Sequence, residues 1–207
     1  DLGNAINYNQ IYEPLISLNL SIYTPTYYIM PSRLSKYEDL THNKGTSLTQ
    51  KGREEGIRRL MSINLLKRLE SSVYAFRLTI DRVYQLIQST IETIHAYQSG
   101  EQLLDLQDLS DADEFDLDDQ NTDYFSVGRK IKIDLADMDY LSWLRDLEKD
   151  AENLQLLSLM ISDITPEHDT KLQTLLDLIR EKQEHPINPG NRKIIIFTAF
   201  SDTADYL

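Results

Sequence analysis

Between Gly56 and Gly100 the chain contains neither glycine nor proline, and over this run its apolar residues recur every seven positions. One set is Leu66, Val73, Ile80, Ile87 and Ile94; a partner set, Leu69, Phe76, Val83, Thr90 and Tyr97, follows three residues behind. A heptad held this long selects a helix, because a period near 3.5 keeps both sets on one face. The pattern predicts a single helix over residues 53–99, about 45 residues and roughly 65–70 Å at 1.5 Å per residue. A stripe of that length needs cover. Residues 134–161, with Met138, Leu141, Leu144, Leu147, Ala151, Leu154 and Leu157 on one side, and residues 166–182, with Leu172, Leu175, Leu176 and Ile179, have the periodicity to supply it. Thr165 is placed to cap the latter, with Pro166 in its first turn and Glu167 at the positive end of its dipole. The expected fold class is mainly α, a bundle of one long and two shorter helices.

The flanking regions differ in character. Residues 1–52 suggest a short helix over 8–18, an extended segment bounded by Pro25 and Pro31, a second short helix over 32–40 with Tyr37 and Leu40 inward, and a polar loop over 41–52. After the helical region 53–185 comes a loop with Pro186, Pro189 and Gly190, then Lys193-Ile194-Ile195-Ile196-Phe197-Thr198. That unbroken apolar run predicts a parallel-type strand covered on both faces. Ser201 then opens a helix, so residues 186–207 read as the start of an α/β unit. The chain begins without Met and ends six residues after Ser201, which predicts a piece of a longer polypeptide. Without its sheet, the strand is expected to pack on the helices or pair with a second copy of the chain.

Composition narrows the function classes. The 207 residues include no cysteine, which excludes disulfides, thiolate metal sites and cysteine nucleophiles. No run of about 18 apolar residues is present, so no membrane partner is expected and the default location is cytoplasmic. The formal charge of −13 is unevenly spread. Ten acidic residues and no basic ones fall between Glu101 and Asp123, leaving 24 acidic against 21 basic side chains elsewhere. The acidic stretch, 101–124, lacks the glycine and terminal glutamate of a calcium loop and reads as a flexible linker. Residues 44–70 have the opposite bias, seven basic against three acidic.

Catalytic signatures are missing. The four histidines share no metal-ligand spacing, and the run Gly45 to Gly52 departs from a phosphate loop because Lys51 is followed by glycine and no strand leads in. The basic cluster has two readings: a solvated face with Glu54–Arg58 and Glu55–Arg59 pairs at helical spacing, or contacts to nucleic-acid phosphates.

The segment Arg58-Arg59-Leu60-Met61-Ser62-Ile63-Asn64-Leu65-Leu66-Lys67-Arg68-Leu69-Glu70-Ser71-Ser72-Val73-Tyr74-Ala75-Phe76 resembles bacterial superfamily 2 helicases of the Swi/Snf type, in particular those with a phospholipase-D-like domain. A second similar stretch runs from Asp169-Thr170-Lys171-Leu172 to Leu175 and on to Asn191-Arg192-Lys193-Ile194-Ile195-Ile196-Phe197-Thr198-Ala199-Phe200-Ser201-Asp202-Thr203-Ala204, about 100 residues later. It resembles the entry to the second RecA-like lobe, up to helicase motif IV. The resemblance implies that residues 1–52 end the first lobe and its connector, 53–185 form the inter-lobe helical region, and 186–207 begin the second lobe. It implies a parent that uses ATP and magnesium and binds DNA or RNA, while this window, without the nucleotide-binding and arginine-finger motifs, has no cofactor and no hydrolysis of its own. Arg58, Arg59, Lys67 and Arg68 become candidate phosphate contacts, and Thr198 and Ser201 candidates beside the motif IV strand. Arg68 and Glu70 could equally form a structural ion pair. The alternative function is a coiled-coil interaction module that dimerises through the heptad.

Overall fold

The structure is a computed structural model that describes residues 8–38, 50–100 and 133–207. The acidic stretch and most of the 41–52 loop lie outside the described residues. Among those described, the α-helices are α1 (Tyr8–Ile16), α2 (Leu34–Glu38), α3 (Gln50–Ser71), α4 (Val73–Gln98), α5 (Tyr140–Ser162), α6 (Thr170–Glu184) and α7 (Ser201–Tyr206). Single 3-10 turns punctuate them, at Ser21–Tyr23, Pro25–Tyr28 and Pro31–Arg33 near the start, and at Leu135–Asp137 and Pro166–His168 later.

The expected 45-residue helix is two helices. Ser72 leaves the helical region with φ −154° and ψ 148°, and its Oγ accepts from the Ala75 amide at 3.0 Å. A serine hydroxyl satisfies an orphan donor at a helix start, so Ser72 both ends α3 and caps α4. The heptad itself is kept: Val73, Phe76, Ile80, Val83, Ile87 and Ile94 are buried, and the most extensive helix–helix contact among the described residues is α4 on α5. From α5 come Trp143, Leu144, Leu147, Ala151, Leu154, Leu157 and Ile161, all buried. Leu141, expected on that side, is exposed. Full burial of a side chain such as Ile80 or Ile87 contributes on the order of 2 kcal/mol.

The proline-bounded segment coils into 3-10 turns rather than extending, and its residual β character is one antiparallel bridge between Ile29 and Met138. Backbone bonds from Met30 N to Asp137 O (2.9 Å) and Asp139 N to Tyr28 O (2.7 Å) frame that bridge. The early turns are held by carboxylates. Leu20 sits in the left-handed region at φ 51° while fully buried, a conformation that costs a non-glycine residue on the order of 1 kcal/mol. Buried Asp150 of α5 offsets this by accepting from both flanking amides, Asn19 N at 2.7 Å and Ser21 N at 2.8 Å, and from Ser21 Oγ at 2.8 Å. Glu54 of α3 accepts from Thr26 N and Oγ1. Asp137 gathers Lys36 Nζ, the Tyr37 hydroxyl and Arg33 Nε at 2.5, 2.7 and 3.3 Å. Residues 8–38 thereby share one apolar core with α3, α4 and α5.

Two further expectations change at the C-terminal side. Thr165 precedes only the 3-10 turn at Pro166 and makes no side-chain capping bond there; α6 starts four residues later, capped by Asp169, whose Oδ1 accepts from Leu172 N at 3.0 Å. Residues 193–198 do not form a strand, and Ile195 and Phe197 are 78% and 90% exposed. The described residues include no strand with which this run could share its backbone groups, so it cannot be buried on both faces.

Replacing Asp150 with alanine would strand the Asn19 and Ser21 amides around a strained turn. Urea unfolding should show a loss of about 3 kcal/mol, with Asp150→Asn losing less. Asp137 is held below the usual carboxylate range, chiefly by the Lys36 hydrogen bond and then by Tyr37. A depressed folded value stabilises the protein above the unfolded value, about pH 4, and that contribution disappears as pH falls through the folded value. Stability against pH between about 5 and 2 should therefore fall less steeply in Asp137→Asn than in the unmodified chain.

Candidate functional site

The basic cluster of α3 divides into a surface part and a buried part. Arg58 Nη2 lies 2.6 Å from Glu55 Oε1, and Arg59 Nε lies 3.2 Å from the same oxygen. The expected Glu55–Arg59 pair forms. Arg58, however, pairs with Glu55 one turn back, because Glu54 is turned inward to Thr26. Arg58 holds the Glu55 carboxyl below its ordinary range, with Arg59 adding to the effect. Arg59 is largely exposed, Arg58 less so, and Lys67 is exposed. At about 100° per residue Lys67 stands roughly 80° around the helix from Arg59. Beside them, Lys51 Nζ sits 4.2 Å from the Tyr27 ring centre, and Thr24, Tyr27, Tyr28, Glu55, Arg58 and Arg59 line a shallow cleft of about 500 Å³.

Arg68 does not belong to this surface. It is 1% exposed, and a buried guanidinium demands a partner. That partner is Asp202 of α7, not Glu70: Arg68 Nη1 lies 2.7 Å from Asp202 Oδ2. Arg82 of α4 reaches the same carboxylate, 3.2 Å to Oδ2 and 3.3 Å to Oδ1. Arg68 also donates to Asn64 Oδ1 at 3.2 Å and lies 4.6 Å from the Phe200 ring centre. One carboxylate thus joins α3, α4 and α7 at the helix break.

Further polar and aromatic contacts surround this ion cluster. Thr203 Oγ1 is 2.9 Å from Ser71 Oγ and 3.3 Å from Ser72 Oγ. Tyr206 stacks on Tyr74, with ring centres 5.0 Å apart, and its hydroxyl donates to Asp169 Oδ2 at 3.2 Å. Burial, reinforced by the negative charge of Asp169, pushes the Tyr206 phenol up to about 12. Lys171 Nζ donates to the carbonyls of Glu70 and Ser71 at 2.7 and 2.9 Å, satisfying two acceptors that the end of α3 leaves open. Between this junction and the 196–198 run lies a groove of about 550 Å³, with Leu172, Leu175 and Leu178 on its α6 side.

Of the sequence-selected residues, the structure brings Arg58 and Arg59 together, leaves Lys67 apart on the same helix, and buries Arg68 elsewhere. Thr198 is exposed and its Oγ1 accepts from Phe200 N at 3.3 Å, whereas Ser201 begins α7. Asp202, Arg82, Thr203 and the capping role of Lys171 escaped sequence reasoning. One signal was available: Ser71-Ser72 ahead of an apolar residue is a helix-start pattern, which the stronger heptad overrode. Among the described residues no group of His, Asp or Glu gathers into a possible metal site, and no helix is long and apolar enough to cross a membrane. Comparison with family models, with curated proteins and with solved structures returned no match.

Removing one member of the buried pair leaves the other charge without compensation. Arg68→Ala should cost about 3–5 kcal/mol, and a double-mutant cycle with Asp202→Ala should return a coupling above about 1 kcal/mol in chemical denaturation.

Proposed function

We propose that this chain is the helical region between the motor lobes of a Swi/Snf-type, ATP-dependent nucleic-acid helicase or translocase, serving as a mechanical link with a phosphate-contact surface. One observation carries the reading. The two stretches that resemble such helicases, about 100 residues apart, are fastened to each other at one place: Arg68 to Asp202 and Ser71 to Thr203. In that role residues 186–207 open the second lobe, and Arg68 and Arg82 tie its helix α7 to the helical region. ATP and magnesium would be handled by parts of the parent beyond this chain.

The nucleic-acid surface proposed here comprises exposed Arg59 and half-buried Arg58 on α3 beside Tyr27 and Lys51, with exposed Lys67 two turns further along the same helix. Cations of this kind bind backbone phosphates by releasing counterions. Thr198, exposed ahead of α7, is kept as an outlying candidate; Ser201 is assigned to the start of α7 and Arg68 to the fastening. The coiled-coil alternative is less well supported, because α5 covers the heptad face that would have to dimerise.

A labelled duplex titrated with the chain by fluorescence anisotropy at several salt concentrations tests the surface. Arg58→Ala/Arg59→Ala/Lys67→Ala should weaken binding severalfold or more, and the log–log salt slope should flatten by up to about 3. Unchanged affinity and slope would sink the proposal.

A further inference from the structure

We propose that the α3–α4 junction is a two-state hinge, held bent by Lys171 and α7, which on release closes into one continuous helix through Ser72. The reason lies in how the backbone groups at the junction are satisfied. In an unbroken helix the Tyr74 and Ala75 amides would donate to the Glu70 and Ser71 carbonyls, by the ordinary four-residue step. In the bent form both carbonyls accept from Lys171 Nζ, at 2.7 and 2.9 Å, and the Ala75 amide donates to Ser72 Oγ at 3.0 Å. The bonds on either side stay helical, Ser72 N to Arg68 O at 2.9 Å and Phe76 N to Ser72 O at 3.1 Å. Opening the helix at this point therefore exchanges hydrogen bonds more than it loses them.

The sequence across the break is written for the straight form. Leu66 to Val73 and Leu69 to Phe76 keep the seven-residue step through Ser72, as a continuous helix requires. No proline or glycine enforces the bend, and sharp kinks usually have such a cause. Apart from the Ser72 cap on Ala75, what favours the bent form comes from outside the two helices: Lys171 at the start of α6, Asp202 bridging Arg68 and Arg82, Thr203 against Ser71 and Ser72, and Tyr206 stacked on Tyr74. A bend that depends on a docked element changes when that element leaves, since an equilibrium shifts only through contacts that differ between its two states. Undocking α7 removes the contacts of Asp202, Thr203 and Tyr206 together. If α7 opens a motor lobe, movement of that lobe would set the hinge; this consequence rests on the proposed function, whereas the hinge does not.

The chain has no cysteine, so Ser62→Cys and Ser89→Cys, both at exposed positions of α3 and α4, can carry spin labels without competing sites. Their separation along a straight helix would be about 40 Å. Pulsed electron resonance on the otherwise unmodified chain should give a shorter main distance. Lys171→Met, at an exposed side chain, and Thr203→Ala, which leaves the buried charges in place, should each raise a population near 40 Å severalfold. Ser72→Ala, which removes the cap, should do the same. A main distance near 40 Å before any substitution, or one distribution shared by all three variants and their parent, would overturn the hinge. The readout needs no nucleic acid, so a distance shift without duplex binding would leave the hinge standing and remove only the proposed function.

Discussion

Water is kept from the apolar stripe of α4 by α5, and the other elements are arranged around that contact. α4 carries ten buried residues over its 26-residue length, and no partial cover would suffice, because each exposed isoleucine or phenylalanine forfeits on the order of 2 kcal/mol. The turns of residues 20–30 and α1 close one side of the α4–α5 pair, and α3 closes another. α6 and α7 join later in the chain, and α6 has no buried residue of its own. The firm core thus lies between α1 and α5, with the C-terminal elements fastened to it at points.

The fastenings are polar, and several of them satisfy a buried carboxylate as they make a connection. Asp150 and Glu54 anchor the early turns, Asp137 ties α2 to the entry of α5, and Asp202 ties α7 to the break between α3 and α4. A carboxylate can accept several hydrogen bonds at once, so a single side chain organises a whole turn. Apolar packing has little directional preference and would not choose among neighbouring registers so sharply. In the proposed motor, such an attachment would bear load at the junction, where the hinge is located.

Much of the helical layout was legible, for a simple reason. The heptad of α3 and α4, the periodicity of α5 and the apolar positions of α6 are local patterns that repeat, and repetition survives without knowledge of neighbours. The break at Ser72 was not legible in the same way. Its serine pair is a weak local cue, whereas the Lys171 and Thr203 contacts that hold the bend come from residues about 100 and 130 positions away. Arg68 was misplaced for a related reason. A cation among other cations on a helix looks solvated until its buried partner is known, and Asp202 lies 134 residues further along. The 193–198 run illustrates the reverse error, since an apolar, β-branched sequence states a preference but cannot form a ladder without partner strands.

By itself the sequence determined that α4 and α5 are helices, which of their faces are apolar, and that the charge is divided between an acidic stretch and a basic cluster. These properties depend on spacing and composition over short distances. Only the tertiary structure decided where the long helix breaks, which arginine is buried, and which carboxylate holds each turn. Those outcomes depend on pairing groups far apart in the chain, and a buried charge or open carbonyl finds its partner only once packing has brought the two together.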